Sequence, residues 1–381
     1  MSGFWQLPAP ATFLRRVSED IREGNNVVIA LPDHAPEGWS VALRASLSLP
    51  SLPRLEEIQP NGSAPIQALH QELGLGPCST RTSVSDLCAS GGFHGRLIHV
   101  YQFNAAAWAS WLAFLNEYED ACRQFDLSQR TLFVATIQGD LAAQAPPPAN
   151  LLRVHHWLDN VDGLNARLYA ASLLSTSTLP SWQRQLAVAL LSELALWDPE
   201  VIALGAQKTL AELLSPAVWL ASLATARGWS AADDLKSPLA RWRGVRQPFE
   251  GHPRTHSAWL ALANRQESLA QRIWSAQVTA VFPLLERHRR AILSRYRGLL
   301  RVPWPTQFGT MIAQHEDLEL NHIADQLCAQ GSGGLRNLCH FVCWLRDLRN
   351  DLAHLTPVSP QRLLDTRFVD SMGNIQTTDD D

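Results

Sequence analysis

The feature that most narrows the fold of this chain is a change of periodicity near residue 162. Before it, short apolar runs rich in β-branched residues alternate with segments of helical spacing, and after it the strand signal disappears. Val27-Val28-Ile29-Ala30-Leu31 is such a run, closed by Pro32, and residues 97–101, 131–136 and 152–157 repeat the pattern. Helical spacing marks 13–22, 39–47 and 66–73, and an amphipathic stretch carries Ala107, Trp111, Phe114 and Leu115. Residues 52–58 supply one further segment between two of these helices. Strands that alternate with helices and are apolar throughout predict a parallel sheet covered on both faces.

From residue 163 the chain reads as helical, over 165–174, 182–196, 199–214 and 217–226. Residues 244–254 carry Gly, Pro and charge without periodicity, which predicts a linker. Long helices follow over 257–300, 318–330 and 334–355, and the polar end closes on Asp379-Asp380-Asp381. The expected organisation is an α/β domain over 1–162, a helical domain over 163–250, a helical bundle over 255–365 and a disordered tail over 366–381.

Composition excludes several classes. The longest apolar runs stay far below the ~20 residues of a membrane span, and Met1 to Leu7 runs into Pro8 with no leader-like pattern. A cytoplasmic location, with no membrane partner, is expected. A net charge of −4 announces no global nucleic-acid affinity, so any basic surface must be local. The six cysteines are scattered among apolar residues, which predicts reduced, mostly buried thiols. Cys339-His340-x-x-Cys343 places two cysteines on one helix face, but no second ligand pair follows at suitable spacing. The pair reads as core, and no metal or cofactor is expected.

The α/β layout invites a test for phosphate binding. That chemistry needs glycines to expose backbone N–H groups, a Lys for the β- and γ-phosphates and a Ser or Thr for magnesium. The stretch after the first strand, Pro32-Asp33-His34-Ala35-Pro36-Glu37-Gly38-Trp39-Ser40, has one glycine, no lysine and two acids. Gly205-Ala206-Gln207-Lys208-Thr209 is the nearest match elsewhere, and it reads as mid-helix and lacks the second glycine. An acid is also missing after the strand at 97–101, where Gln102 and Asn104 stand. ATP hydrolysis is therefore not expected. The layout resembles degenerate P-loop domains that serve as sensors or protein-contact platforms.

The chemical signal lies near the C-terminus. Arg349-Asn350-Asp351-Leu352-Ala353-His354 ends a segment with apolar residues at Leu335, Leu338, Phe341, Val342, Leu345, Leu348 and Leu352. An Arg followed by a His five residues later is expected about once by chance in a chain this rich in both, whereas the adjoining Asn lowers that to roughly 0.03. On an ideal helix Arg349 and His354 would stand about 140° apart. They converge only where the helix ends or loosens, for which Pro357 provides a reason, or where two copies meet.

Arg349-Asn350-x-x-Ala353-His354 closely resembles the signature of HEPN domains, four-helix bundles widespread in prokaryotic defence and toxin systems. Asp317-Leu318-Glu319-Leu320-Asn321-His322-Ile323 is similar to the acidic and apolar stretch of an earlier helix of that bundle, with Glu319 in the place of its acid. Arg272-Ile273-Trp274 through Glu286 is similar to its long first helices. The resemblance covers about residues 255–365. It implies metal-independent RNA cleavage, with His354 moving the proton of the ribose 2′-hydroxyl or of the leaving 5′-oxygen and Arg349 stabilising charge on phosphorus. It gives Asn350 the task of orienting the phosphate and Glu319 that of holding Arg349 or His354. It also implies that two bundles pair across one cleft, as a homodimer or with a partner protein.

Arg287, Arg289, Arg290, Arg295 and Arg297, interleaved with Tyr296, form a candidate RNA-binding face, since Arg and aromatic side chains suit phosphates and bases. The expected protein is a defence- or toxin-type endoribonuclease effector whose N-terminal region senses or binds a partner. The alternative is a non-catalytic adaptor of an antiviral complex that uses the bundle to dimerise.

Overall fold

A computed structural model describes residues 3–79, 81–306, 309–330 and 335–373. The chain forms two compact units. The first comprises Met1–Asn165, Trp197–Glu200 and Arg227–His256, and the second Ala166–Leu196, Val201–Ala226 and Ser257–Asp381. The segment 163–250, expected as one helical domain, is thus shared between them.

The first unit is an α/β sheet domain. Its helices include α1 (Pro8–Arg22), α2 (Trp39–Leu47), α3 (Pro65–Leu73), α4 (Val84–Ala89) and α5 (Ala105–Cys122). Its strands β1 (Asn26–Leu31), β2 (Leu55–Ile58), β3 (Leu97–Val100), β4 (Leu132–Gln138) and β5 (Leu152–His156) pair in the order β2-β3-β4-β1-β5, all parallel. Register is set with Val28 beside both Ala135 and Val154. β1 is buried along its whole length and β4 along all but its last residue, as strands covered on both faces must be. The core on one face is aromatic. Trp108, Trp111, Phe114 and Tyr118 of α5 lie at or below 4% exposure, and Phe114 and Tyr118 meet Phe133 of β4 edge-on at 5.6 and 5.2 Å. The Tyr118 hydroxyl donates to the Thr131 carbonyl at 2.7 Å and accepts from the Thr131 N–H at 2.9 Å, so its polar end is satisfied inside that core.

The second unit is helical. α6 (Gly163–Leu173) begins at the border of the two units, followed by α7 (Ser181–Ala195), α8 (Pro199–Gly205), α9 (Leu210–Leu214) and α10 (Ala217–Ala226). The single helix expected over 199–214 is broken. Gly205 ends α8, and the Thr209 side chain caps α9 by accepting from the Glu212 N–H. The Lys208-Thr209 pair therefore lies in a turn between helices rather than mid-helix.

Two further corrections follow from left-handed backbone. Residues 244–254 are no linker: after α11 (Leu239–Trp242), β6 (Arg246–Phe249) and β7 (His252–Thr255) make an antiparallel hairpin. Its turn is Glu250-Gly251, with φ of 51° and 79°, the geometry that fits a two-residue hairpin loop. The helix expected over 257–300 is split into α12 (Ser257–Leu262) and α13 (Gln266–Arg295) by Asn264 at φ 52°.

The C-terminal elements are α14 (Leu320–Ala329), α15 (Arg336–Ala353), α16 (Pro360–Leu363) and α17 (Val369–Gly373). α13 packs on both α7 and α15, and α14 packs on α15. The tail expected from 366 is in part structured, since α17 is helical and Met372 is fully buried; residues 374–381 lie outside the described residues, as does Gly334 of the expected third helix. Among the described residues no helix is long and apolar enough to cross a membrane.

Candidate functional site at the open end of the α14–α15 hairpin

α14 and α15 form a helical hairpin, so the start of α14 and the end of α15 share one end of it. Both ends are fixed by side-chain hydrogen bonds to the backbone. The Arg289 guanidinium donates to the carbonyls of Glu316 and Leu318 at 2.8 and 2.9 Å, which holds the approach to α14. At the other end, Trp274 Nε1 donates to the Leu352 carbonyl at 2.7 Å. The fully buried Gln277 amide both donates to the Val358 carbonyl, at 2.9 Å, and accepts from its N–H, at 2.8 Å. Leu318 and Leu352 are themselves buried, so the polar residues beside them are carried on rigid backbone.

Glu319 is the residue that precedes α14, and its N–H donates to His322 Nδ1 at 3.1 Å. Its carboxylate accepts from Arg349 Nη2 at 3.2 Å. His354 caps the end of α15, its N–H donating to the Asn350 carbonyl at 3.0 Å, and Leu355 then turns the chain with φ of 59°. The helix runs on through Ala353, so the turn between Arg349 and His354 is helical, and the chain leaves the helix only after His354. Glu319, Arg349, Asn350 and His354 all line one open cavity of about 530 Å³. Its other charged walls are Asp325, Arg346 and Asp347.

The charges in this cavity are paired and wet. Glu319 and Arg349 keep 53% and 40% of their side-chain exposure, and Arg346 lies 2.9 Å from Asp347. Three carboxylates against two guanidiniums give no net positive field, so an anion would have to take Arg349 from Glu319. An exposed pair of this kind is worth at most about 1 kcal/mol, so the exchange is cheap.

The five arginines expected to form an RNA-binding face do not act alike. Arg289 is the backbone clamp just described and also pairs with Glu286 at 2.7 Å. Arg290 shares Glu286, at 3.1 Å, and Arg297 pairs with Glu316 at 2.8 Å. Arg295 covers the Tyr296 ring at 5.7 Å, and Arg287 lines a different cavity, of about 610 Å³, with Trp182, Gln185 and Asp370. His288, within the same run, is buried and bonded to the Met372 carbonyl at 3.0 Å.

The loop after β1 has its own closure. The Gln138 amide donates to the Asp33 carbonyl at 2.7 Å, and Gly139, at φ 60°, holds a left-handed turn where Asp33 Oδ1 occupies the place of a Cβ, so the position favours glycine. Burial and the neighbouring Asp140 raise the Asp33 carboxyl above its usual range, while Arg243 pairs with Asp140 at 3.1 Å. Asn104, after β3, caps α5 by accepting from the Ala107 N–H at 2.8 Å.

Cysteine placement departs from the sequence reading. Cys328 and Cys339 are joined in a disulfide, and Cys343 is half-buried beside them rather than a core residue. The spacing of 339 and 343 was visible in the sequence, whereas Cys328 comes from the other helix of the hairpin and had no local signal. A second group without one is Asp198, Arg227 and His256, in the first unit. Asp198 Oδ2 is 2.7 Å from Arg227 Nη1 and 2.9 Å from His256 Nε2, with all three side chains at or below 7% exposure. Burial alone would raise the Asp198 carboxyl, but Arg227 and His256 overcome it and hold it well below the usual range.

No family model matches this chain and no curated protein matches it, so its site geometry is the ground on which function is read.

Proposed function

We propose that the second unit carries a HEPN-like helical bundle that cleaves RNA at the open end of the α14–α15 hairpin. The observation behind this reading is that Glu319, Arg349, Asn350 and His354, drawn from two helices, line one solvent-open cavity. A phosphodiester entering it meets Arg349, which turns from Glu319 to the non-bridging oxygens, where a guanidinium fork suits a phosphoryl group. His354 removes the 2′-hydroxyl proton as O2′ attacks phosphorus, or returns a proton to the departing O5′. The products of that attack are a 2′,3′-cyclic phosphate and a 5′-hydroxyl. Asn350 hydrogen-bonds the phosphate, and Glu319 holds Arg349 until substrate arrives. Arg287, Arg290, Arg295 and Arg297 are exposed and available to backbone phosphates, whereas Arg289 is committed to the protein. The first unit acts as the sensor or partner-binding region.

The test is cleavage of end-labelled single-stranded RNA by the full-length protein, alongside the Arg349→Ala/His354→Ala double variant. A drop of roughly 10²–10⁴-fold in the variant, and no cleavage of the 2′-deoxy strand, is expected. Equal cleavage by both proteins, or cleavage of the deoxy strand, overturns the reading.

One observation favours a second reading, an adaptor that docks a partner or a second copy. Leu355, directly after His354, is 70% exposed on a left-handed backbone, an apolar residue presented to solvent. In that case His354→Ala leaves biological activity intact while Leu355→Asp abolishes association.

A further inference from the structure

At the closed end of the same hairpin, opposite the cavity, three sulfurs come together. Cys328 stands in the last turn of α14, Cys339 in the first turn of α15 and Cys343 one turn further along. Cys328 and Cys339 are disulfide-bonded, Cys343 Sγ lies 3.7 Å from Cys328 Sγ, and all three sulfurs are within 4.8 Å of one another. A disulfide uses two sulfurs and has no need of the third. The spacing of four between Cys339 and Cys343 puts both on the helix face that meets Cys328.

Tetrahedral zinc thiolates, with bonds of ~2.3 Å, place their sulfurs about 3.8 Å apart. The Cys328–Cys343 separation already has that value. Once the disulfide is reduced, Cys339 is free to draw back from Cys328 by a side-chain rotation. Cys328 is exposed and the other two are half-buried, so a cation can enter from solvent and keep a water as fourth ligand. Arg346, three residues beyond Cys343 and electrostatically coupled to it, offsets the surplus negative charge of three thiolates.

We propose that the reduced Cys328, Cys339 and Cys343 form a binding site for a thiophilic divalent cation of the zinc type, and that the disulfide is its oxidised, metal-free form. A small dithiol supplies two electrons and two protons to the Cys328–Cys339 bond, giving two thiols and a cyclic disulfide. The cation then displaces one proton from each of the three thiols.

The experiment uses the full-length protein, reduced anaerobically and freed of reductant, titrated with Zn²⁺ against a chromogenic chelator and separately with Co²⁺. One equivalent of metal per chain is expected, with a thiolate-to-cobalt charge-transfer absorption. Uptake is lost in Cys343→Ser and in the more exposed Cys328→Ser, each first shown to be folded by circular dichroism. It persists in Cys88→Ser, whose buried thiol is pushed up to about 12 and is a poor ligand. The oxidised protein takes up none. Absence of stoichiometric uptake by the reduced protein, uptake without the thiolate absorption, or wild-type uptake by Cys343→Ser overturns the proposal. So does a Cys328–Cys343 disulfide, found by peptide mapping after reoxidation of protein that took up no metal while reduced, which would make the trio a thiol-exchange site.

Discussion

Each unit of this molecule holds a carboxylate, a guanidinium and an imidazole in company, and the two groups are opposites in setting. Asp198, Arg227 and His256 are buried, and Arg227 lies against the Trp229 ring at 5.2 Å and also pairs with Glu200. Glu319, Arg349 and His354 stand around an open cavity, with the first two side chains 53% and 40% exposed and His354 exposed as well. The same three side chains are therefore locked in one place and available in the other. Buried, the pair interaction is strong and each member depends on the others for solvation. Exposed, the interaction is weak and each member is free to exchange its partner for a substrate. Residue type alone does not identify an active site; accessibility separates the structural group from the chemical one.

The largest effect that would sharpen this contrast belongs to Arg227. Arg227→Met removes the cation and leaves Asp198 buried without its main partner, and should cost roughly 3–5 kcal/mol in urea-induced unfolding. A loss below about 1 kcal/mol would break the contrast, because the buried group would then behave as a surface pair does. Acid should act in the same direction. The folded carboxyl of Asp198 is depressed, so its stabilisation is present above the unfolded value near 4 and is lost as pH falls below it.

A somewhat smaller effect is expected at His99, on β3. Burial pushes its imidazole down to about 4, and its Nε2 is hydrogen-bonded to Thr136 at 2.9 Å. The folded state resists a proton that the unfolded chain accepts at pH 6.5, so stability is full above that pH. It should decline by up to about 3 kcal/mol between pH 6.5 and 4. His99→Phe should flatten that part of the stability–pH curve, and an unchanged slope would assign the pH dependence to another group.

The smallest effect is the most useful. Glu319→Gln and Arg349→Ala should each change unfolding stability by less than about 1 kcal/mol, because both side chains are solvent-exposed. If RNA cleavage collapses in Arg349→Ala while the melting curve stays put, the loss is chemical. A large loss of stability in either variant would move this group into the structural class with Asp198.

The sheet was largely legible in the sequence because its strands are buried on both faces and read as unbroken apolar runs. Residues 27–31 became Asn26–Leu31 and 152–157 became Leu152–His156. The helix breaks were not legible, since they depend on single left-handed residues such as Asn264 and on a cap such as Thr209, which leave apolar periodicity intact. In the candidate site, Arg349, Asn350 and His354 were visible as one contiguous motif, and Glu319 through the resemblance. What the sequence hid was long-range: that Arg289 serves the backbone before α14, that Cys328 meets Cys339, and that Asp198 finds Arg227 and His256 across 29 and 58 positions. Such meetings follow from tertiary packing, which local spacing does not encode.

The interleaving of the two units along the chain has a consequence for synthesis. On the ribosome, residues 166–196 and 201–226 emerge before 227–256, which the first unit needs in order to close. Trp242, packed into the core of the sheet domain, is among those late arrivals. α7 in turn must wait for α13, its main packing partner, which ends at Arg295. Neither unit can mature as the other is being read out, and a nascent chain halted near residue 226 exposes the unfinished surfaces of both. A chaperone that shelters the first two hundred residues of this polypeptide would therefore be expected to remain bound until the last third has been translated.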